Sequence, residues 1–257
     1  MTDVVVAIPA RDEQHTVART VRDVRRALQV ARGLTYVRHA TIEVVAHRCS
    51  DATAVVAVPA ERAVGGDGEV DLDETSWCVG QVRDRGVRRA LARLGGPLDD
   101  TWVLSTDADT RVGAGWVVDV LASARRLDAV AVVGLAPLDR WHGTPEGAAA
   151  YARLLAAGLR SPDPAHQHDH VYGANLAVRA DAYLGVGGFP AVPHGEDQVL
   201  VDRLQRSGYR LLRTAEVTVR TSGRLTARAA GGLADRLAAV EESCRTSHPC
   251  VEGTRAG

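Results

Sequence analysis

The sequence predicts an α/β protein whose mostly parallel central sheet is flanked by helices. Two observations carry that expectation. Short β-branched runs alternate with helical periods through the first half, and alternation at this size builds parallel strands covered on both faces. The runs are apolar throughout rather than at every second residue, as strands buried on both sides require.

In chain order, "DVVVAIPA" (3–10) reads as a buried strand closed by proline. A helix follows over 13–33, with Val17, Val21, Val24 and Leu28 at helical spacing and Gly33 as its stop. "ATIEVVAH" (40–47) is a second strand, and Ser50 or Asp51 stands in N-cap position before a helix over 50–60. The stretch "ERAVGGDGEVDLDE" (61–74) reads as a flexible loop, rich in glycine and acids. A helix over 76–96 ends at a glycine pair, and "DTWVLST" (100–106) is the next strand.

The second half is less regular. Helix 115–126, strand 127–136 and an Ala-rich helix 144–160 precede a histidine-bearing loop, 161–170. Then come a strand over 171–179, a helix over 195–208, short strands over 209–214 and 216–221, and a last helix over 225–244. The tail 249–257 is expected to fray. Neither an internal repeat nor a separating linker is visible.

A chain of 257 residues, 46% of them hydrophobic, can bury a sizeable core. Aromatics are only 4%, so that core must be Val, Leu and Ala. With 31 basic and 32 acidic side chains the net charge is -1, and no global field points to nucleic acid or an anionic membrane. The four cysteines lack CxxC spacing and read as free thiols, with a Cys244–Cys250 link as the alternative. The N-terminus lacks a basic, apolar leader pattern, and no run of about 18 apolar residues occurs. The expectation is a cytoplasmic protein without a membrane span.

The chemistry concentrates beyond the strands, where open α/β sheets bind ligands. Residues 9–13, 47–51 and 107–109 all follow strands and open on one edge of a parallel sheet. In "STDADT" two carboxylates, Asp107 and Asp109, stand one residue apart. Mg²⁺ or Mn²⁺ accepts such oxygens together with phosphate oxygens; the alternative is a capping pair in a surface loop. "GED" (195–197) places Glu196 and Asp197 at a helix N-terminus, where acids also suit the dipole.

The order of these segments resembles the family 2 glycosyltransferases of the GT-A fold, over roughly residues 3–225. "VVVAIPARDE", "VVAHRCSDAT", "VGQVRDRGVRRAL", "STDADT", "YGANLAVRADAYLGVGGF" and "GEDQVLVDRL" each look like a segment of the family and follow one another in the family's order. The layout is similar to that of soluble, actinobacterial-type members. The resemblance implies one GT-A domain over 1–257, with a nucleotide-binding half (1–110), an acceptor-binding half (111–225) and a C-terminal helix and tail (226–257). It implies a metal-dependent, inverting transfer of a sugar from a UDP- or GDP-linked donor to a hydroxyl of a small-molecule or glycan acceptor.

Carried over, the resemblance implies that Pro9, Ala10 and Arg11 line the base, and that Glu13 reaches base or ribose. It puts Arg83 and Gly86 near the diphosphate, Asp107 at ribose or metal, and Asp109 on the metal. Gly173, Ala174 and Asn175 would shape the donor-sugar and acceptor pocket. Asp197 would be the general base, with Glu196 holding the acceptor or orienting the base.

The sequence departs from the family in two places. Ala46 and His47 stand where many members place a uracil-gripping aspartate, which leaves His47 either a base contact or a loop residue. Late in the chain Arg220, Ser222 and Arg224 stand where some GT-A enzymes offer a metal-binding histidine.

His166, His168 and His170 alternate in a proline-flanked loop, a poor frame for closed zinc ligation. His170 is expected beside the acceptor pocket and the other two in solvent, with His194 a further acceptor contact. Trp102, Trp116 and Trp141 read as core or interface, and Leu233, Leu237 and Val240 serve a dimer as easily as the core. A nucleotidyltransferase would need a "GxGTR"-like loop where this chain has "IPARDE". A nucleotide-sugar-binding protein without catalysis is the remaining alternative.

Overall fold

The computed structural model describes residues 1–62, 69–159, 165–228 and 231–247. The chain runs β1 (Thr2–Ala10), α1 (Val17–Gly33), β2 (Val37–His47), α2 (Thr53–Arg62), β3 (Glu69–Asp73), α3 (Val79–Leu94), β4 (Thr101–Ser105), β5 (Arg111–Val112) and α4 (Trp116–Leu127). It continues through β6 (Ala131–Leu135), β7 (Leu138–Trp141), α5 (Pro145–Ala157), β8 (Leu176–Arg179), α6 (Ala180–Gly185), α7 (Glu196–Arg206), β9 (Leu211–Gly223) and α8 (Leu233–Ser247).

The sheet order is β3-β2-β1-β4-β8-β6-β9-β5, with β7 on β9. β3, β2, β1 and β4 are parallel, and β8 enters antiparallel between β4 and β6. Side chains of β1 alternate between two cores. Val4, Val6 and Ile8 pack with Val17, Val21 and Val24 of α1 and Val117 and Leu121 of α4. Val5 and Ala7 pack with Val87 and Ala90 of α3, Tyr183 of α6, and Leu200 and Leu204 of α7. Each fully buried Val or Leu contributes about 1.5–3 kcal/mol, so β1 is the anchor between both layers.

The departures from the sequence expectation at β3, at β9 and at His168 have physical causes. β3 lies within the stretch read as a loop. Its acids are tolerated because α3 carries arginines at every fourth position on the facing side. Arg85 pairs with Asp71, while Arg89 and Arg93 pair with Glu69 at 3.3 Å and 2.8 Å and also reach Glu43 of the neighbouring β2. Residues 63–68 of that stretch lie outside the described residues.

The two short strands at 209–221 are one continuous β9. Val133 pairs with Arg213 but Leu135 pairs with Thr218, so a bulge absorbs the exposed Ala215 and Glu216 that break the apolar pattern. His168 is fully buried rather than solvated, because residues 165–168 dock along β9: His166 bridges Arg213, and His168 Nε2 lies 3.2 Å from the Thr214 carbonyl.

α8 starts eight residues later than expected and packs on α5. Glu241 fastens the pair, accepting the Thr144 N–H at 2.9 Å and the Trp141 indole N–H at 3.3 Å. Trp141 also stacks on Tyr151, and Leu237 is buried. Cys49, Cys78 and Cys244 are free thiols, and Cys250 lies outside the described residues, as does the tail. No helix among the described residues is long and apolar enough to cross a membrane.

Candidate active site

Because β1, β2, β3 and β4 run parallel, the segments following them share one edge. Hydrogen bonds lace these segments together. Ser50 N–H donates to Asp12 Oδ1 (2.7 Å), Gln14 N–H to Asp51 Oδ2 (3.1 Å), and Glu13 N–H to Thr53 Oγ1 (2.6 Å). The Thr20 hydroxyl of α1 lies 2.9 Å from the carbonyl oxygens of both Ala108 and Thr110 and shares its one hydrogen between them, fixing the turn that carries the two acids.

Pro9 and Ala10 end β1 with little exposure, and Arg11 projects into solvent beyond them. His47 closes β2 with Nδ1 3.2 Å from both the carbonyl and Oδ2 of Asp73. Burial would raise the Asp73 pKa, but hydrogen bonds from Ser76 and Thr75 outweigh it and hold the carboxyl far below its usual range. Ligand atoms of Asp12, Cys49 and Asp51 converge within 4.8 Å. Both carboxylates of that trio already serve as struts between the β1 and β2 loops.

Asp107 and Asp109 point to different partners. Asp107 Oδ1 lies 2.5 Å from Arg83 Nη2. The Arg83 side chain is 5% exposed and spends every nitrogen: Nε on Glu196 (3.1 Å), Nη1 on Ser105 (2.8 Å), Nη2 on Asp107. Burial opposes its charge, but Asp107 and Glu196 outweigh burial and push its pKa further up. Asp109 Oδ2 instead lies 2.5 Å from Arg224 Nη1, which also sits 2.8 Å from Glu13 Oε1. Arg228 joins the same Glu13 oxygen.

Burial raises the Asp109 pKa to about 7, with Asp107 and Glu13 adding to the rise and Arg224 opposing it. Asp109 and Glu13 are nearly buried carboxylates drawn together on one guanidinium, the oxygen chemistry a hard divalent ion takes, whereas Asp107 turns to Arg83 and joins no converging group of three among the described residues. Glu13, Asp109 and the segment carrying Arg224 and Arg228 converge here from three parts of the chain. The one sequence signal was the R-x-x-x-R spacing just past a strand.

On the other side of the edge, Asp197 begins α7 and its Oδ2 accepts the Gly173 N–H at 2.8 Å. Gly173 is required by close approach, since a Cβ there would lie 2.7 Å from Arg83 Nη2. Glu196 is buried on Arg83; burial raises its pKa, Arg83 opposes and Asp197 adds. Ala174 is buried. Asn175 faces inward with every polar valence used: its Oδ1 accepts the Trp116 indole N–H (2.9 Å), and its Nδ2 donates to the carbonyls of Leu135 (2.8 Å) and Val217 (3.0 Å). His170 packs under α5, with Nε2 2.9 Å from the Leu155 carbonyl.

No protein-family model matches the sequence, and no curated protein matches it. Solved structures do match in shape. S. aureus TarS 1-349 superposes with a TM-score of 0.60 at 14% identity, over 98% of this chain and 74% of that one. A mannosyltransferase from Pyrobaculum calidifontis in complex with GDP-Man and Mn²⁺ gives 0.59 at 15% identity, over 88% and 57%. GalNAc-T7 with UDP, GalNAc and Mn²⁺ gives 0.60 at 15%, over 86% and 44%. The fold is GT-A. At these identities the likeness is one of fold, and the chain spans only about half of the mannosyltransferase and GalNAc-T7 chains. Another TarS 1-349 structure holds UDP-GlcNAc.

Proposed function

We propose that this GT-A chain is an inverting glycosyltransferase that moves a sugar from a nucleoside-diphosphate donor, UDP- or GDP-linked, onto a hydroxyl of a small soluble acceptor. The observation that carries the reading is the chain of contacts Asp107–Arg83–Glu196, next to Asp197 on Gly173. It joins the strand-edge acids to the N-terminus of α7 through one buried guanidinium, and so sets a fixed spacing between donor and base.

In this reading residues 1–110 bind the nucleotide and 111–225 the acceptor. Pro9, Ala10 and Arg11 flank the base, and His47, held on Asp73, closes the far side. Asp109 and Glu13, with Asp107, hold the Mg²⁺ or Mn²⁺, which when bound offsets the charge growing on the leaving diphosphate. Asp197 keeps its carboxylate aimed by the Gly173 N–H and takes the proton of the attacking hydroxyl. Attack from the face opposite the leaving group inverts the anomeric carbon. Arg83 acts as a positioning residue for Glu196 and Asp107, because its side chain is buried and each of its nitrogens donates to a protein oxygen.

The test is a thermal-shift titration with UDP, GDP and their common sugar conjugates, with and without Mn²⁺, followed by NMR of the product anomer. A metal-dependent stabilisation by one base, lost in Asp109→Ala, is the expected result. A retained anomeric configuration would remove Asp197 as base, and donor binding with neither transfer nor hydrolysis would leave only a binding protein.

A further inference from the structure

Asp109 and Glu13 are nearly buried carboxylates, 9% and 5% exposed, that share the single nitrogen Arg224 Nη1. Arg228 reaches the same Glu13 oxygen, and the other Glu13 oxygen accepts the Thr16 hydroxyl at 2.5 Å. The two arginines are 28% and 33% exposed. The acids are therefore set into the sheet edge, whereas the arginines reach them from the solvent side, on the segment that follows β9.

A divalent cation binds carboxylate oxygens at about 2.0–2.6 Å. Arg224 Nη1 fills that space, and two cations so close repel strongly, so guanidinium and metal exclude one another at Asp109. We infer that Arg224, seconded by Arg228, is an exchangeable internal counter-cation. It neutralises Asp109 and Glu13 until a divalent cation takes them, and the released guanidiniums then pass to the diphosphate of the donor. The inference rests on the glycosyltransferase reading. A guanidinium fork pairs with phosphate as it does with carboxylate, so the arginines change partners without losing an ion pair. Metal and diphosphate are thereby linked through residues of the chain as well as through direct contact, and the linkage is reciprocal.

The test measures Mn²⁺ binding alone, without nucleotide, by the EPR signal of free Mn²⁺. Wild type is compared with Arg224→Gln, with Arg224→Lys, and with Arg220→Gln as a control for net charge on the exposed side of β9. Melting curves confirm that each variant is folded. Arg224→Gln is expected to bind Mn²⁺ about tenfold more tightly than wild type, a change of about 1.4 kcal/mol. Arg224→Lys falls between them and Arg220→Gln matches wild type. In a second arm, at saturating Mn²⁺, Arg224→Gln and Arg228→Gln bind UDP or GDP more weakly than wild type.

Equal Mn²⁺ affinity in wild type and Arg224→Gln overturns the exchange. So does an equal gain in Arg220→Gln, which would mark a general charge effect. Either result with nucleotide binding intact leaves the transferase reading standing. Failure of wild type to bind UDP or GDP under any condition overturns that reading, and with it the diphosphate half of the exchange, whatever the Mn²⁺ result.

Discussion

Asp107 and Asp109 share one turn, and each meets a guanidinium at the same distance, yet the two ion pairs are different objects. Arg83 lies under the site, desolvated on folding, with three protein partners. Arg224 lies over it, in contact with water, on a segment that has already left the sheet. An ion-pair distance therefore says little about strength or permanence. Burial and the number of competing partners decide whether a pair fixes geometry or can be traded for a ligand.

The strongest way to break this comparison is to remove each arginine. Arg83→Ala strands Asp107 and Glu196 and is expected to cost about 3–5 kcal/mol of stability, the usual penalty for breaking a buried pair from one side. Arg224→Ala should cost less, since Arg228 still pairs with Glu13 and Asp109, with its pKa raised to about 7, can take up a proton instead. Equal losses in urea unfolding would erase the distinction.

Asp197→Asn sharpens it next. A fall in kcat of about 10²–10⁴ is expected for loss of a general base, with only a small fall in melting temperature, because the Asn oxygen still accepts one of the two N–H groups, Gly173 or Gln198, that Asp197 accepts on separate oxygens. Glu196→Gln should instead shift melting, through Arg83. Asn175→Ala is a smaller structural change. It leaves the Trp116 N–H and two carbonyls unmet, at about 1–3 kcal/mol, and a drop in kcat without a drop in stability would show that Asn175 faces the substrate.

The smallest expected effect is in pH. The Asp109 pKa is raised to about 7 in the folded protein, chiefly by burial, so the folded state holds that proton more tightly than the unfolded chain. Its contribution is fully present below the usual carboxylate pKa and is lost as pH rises through about 7. Asp73 is shifted the other way and loses its contribution only in strong acid. In EDTA, Asp109→Asn should therefore gain stability relative to wild type between pH 5 and pH 8, and a constant difference across that range would contradict the assignment.

Where a face is apolar, its period was legible in the sequence: β1, α1, β2, α3 and β4 were all read within a few residues. β3 was not, because its acids look like loop chemistry until Arg85, Arg89 and Arg93 are seen on the facing helix. The signal was present in "RDRGVRRALAR", which puts arginines at every fourth position, but its meaning depends on which strand lies opposite. The site divides in the same way. The acids were visible as motifs, whereas their partners were not, since Arg83 meets Glu196 across 113 positions and Arg224 meets Asp109 across 115. His168 was misjudged for the same reason: burial of a histidine follows from docking along β9, not from its neighbours in the chain.

The thirteen-residue β9 has a consequence for how this chain can vary. Arg111 pairs with Arg220 and Val112 with Val219, and the Thr110 hydroxyl lies 3.2 Å from that of Thr221. Asp109 and Arg224 are thus positioned by counting outward from one fixed register. Side chains reverse at each step along a strand, so a single insertion or deletion between 220 and 224 would turn Arg224 away from the acid. Replacement of exposed Thr218 leaves the count intact. Relatives that keep this site should tolerate many substitutions along β9 but hold its length constant from Arg220 onward.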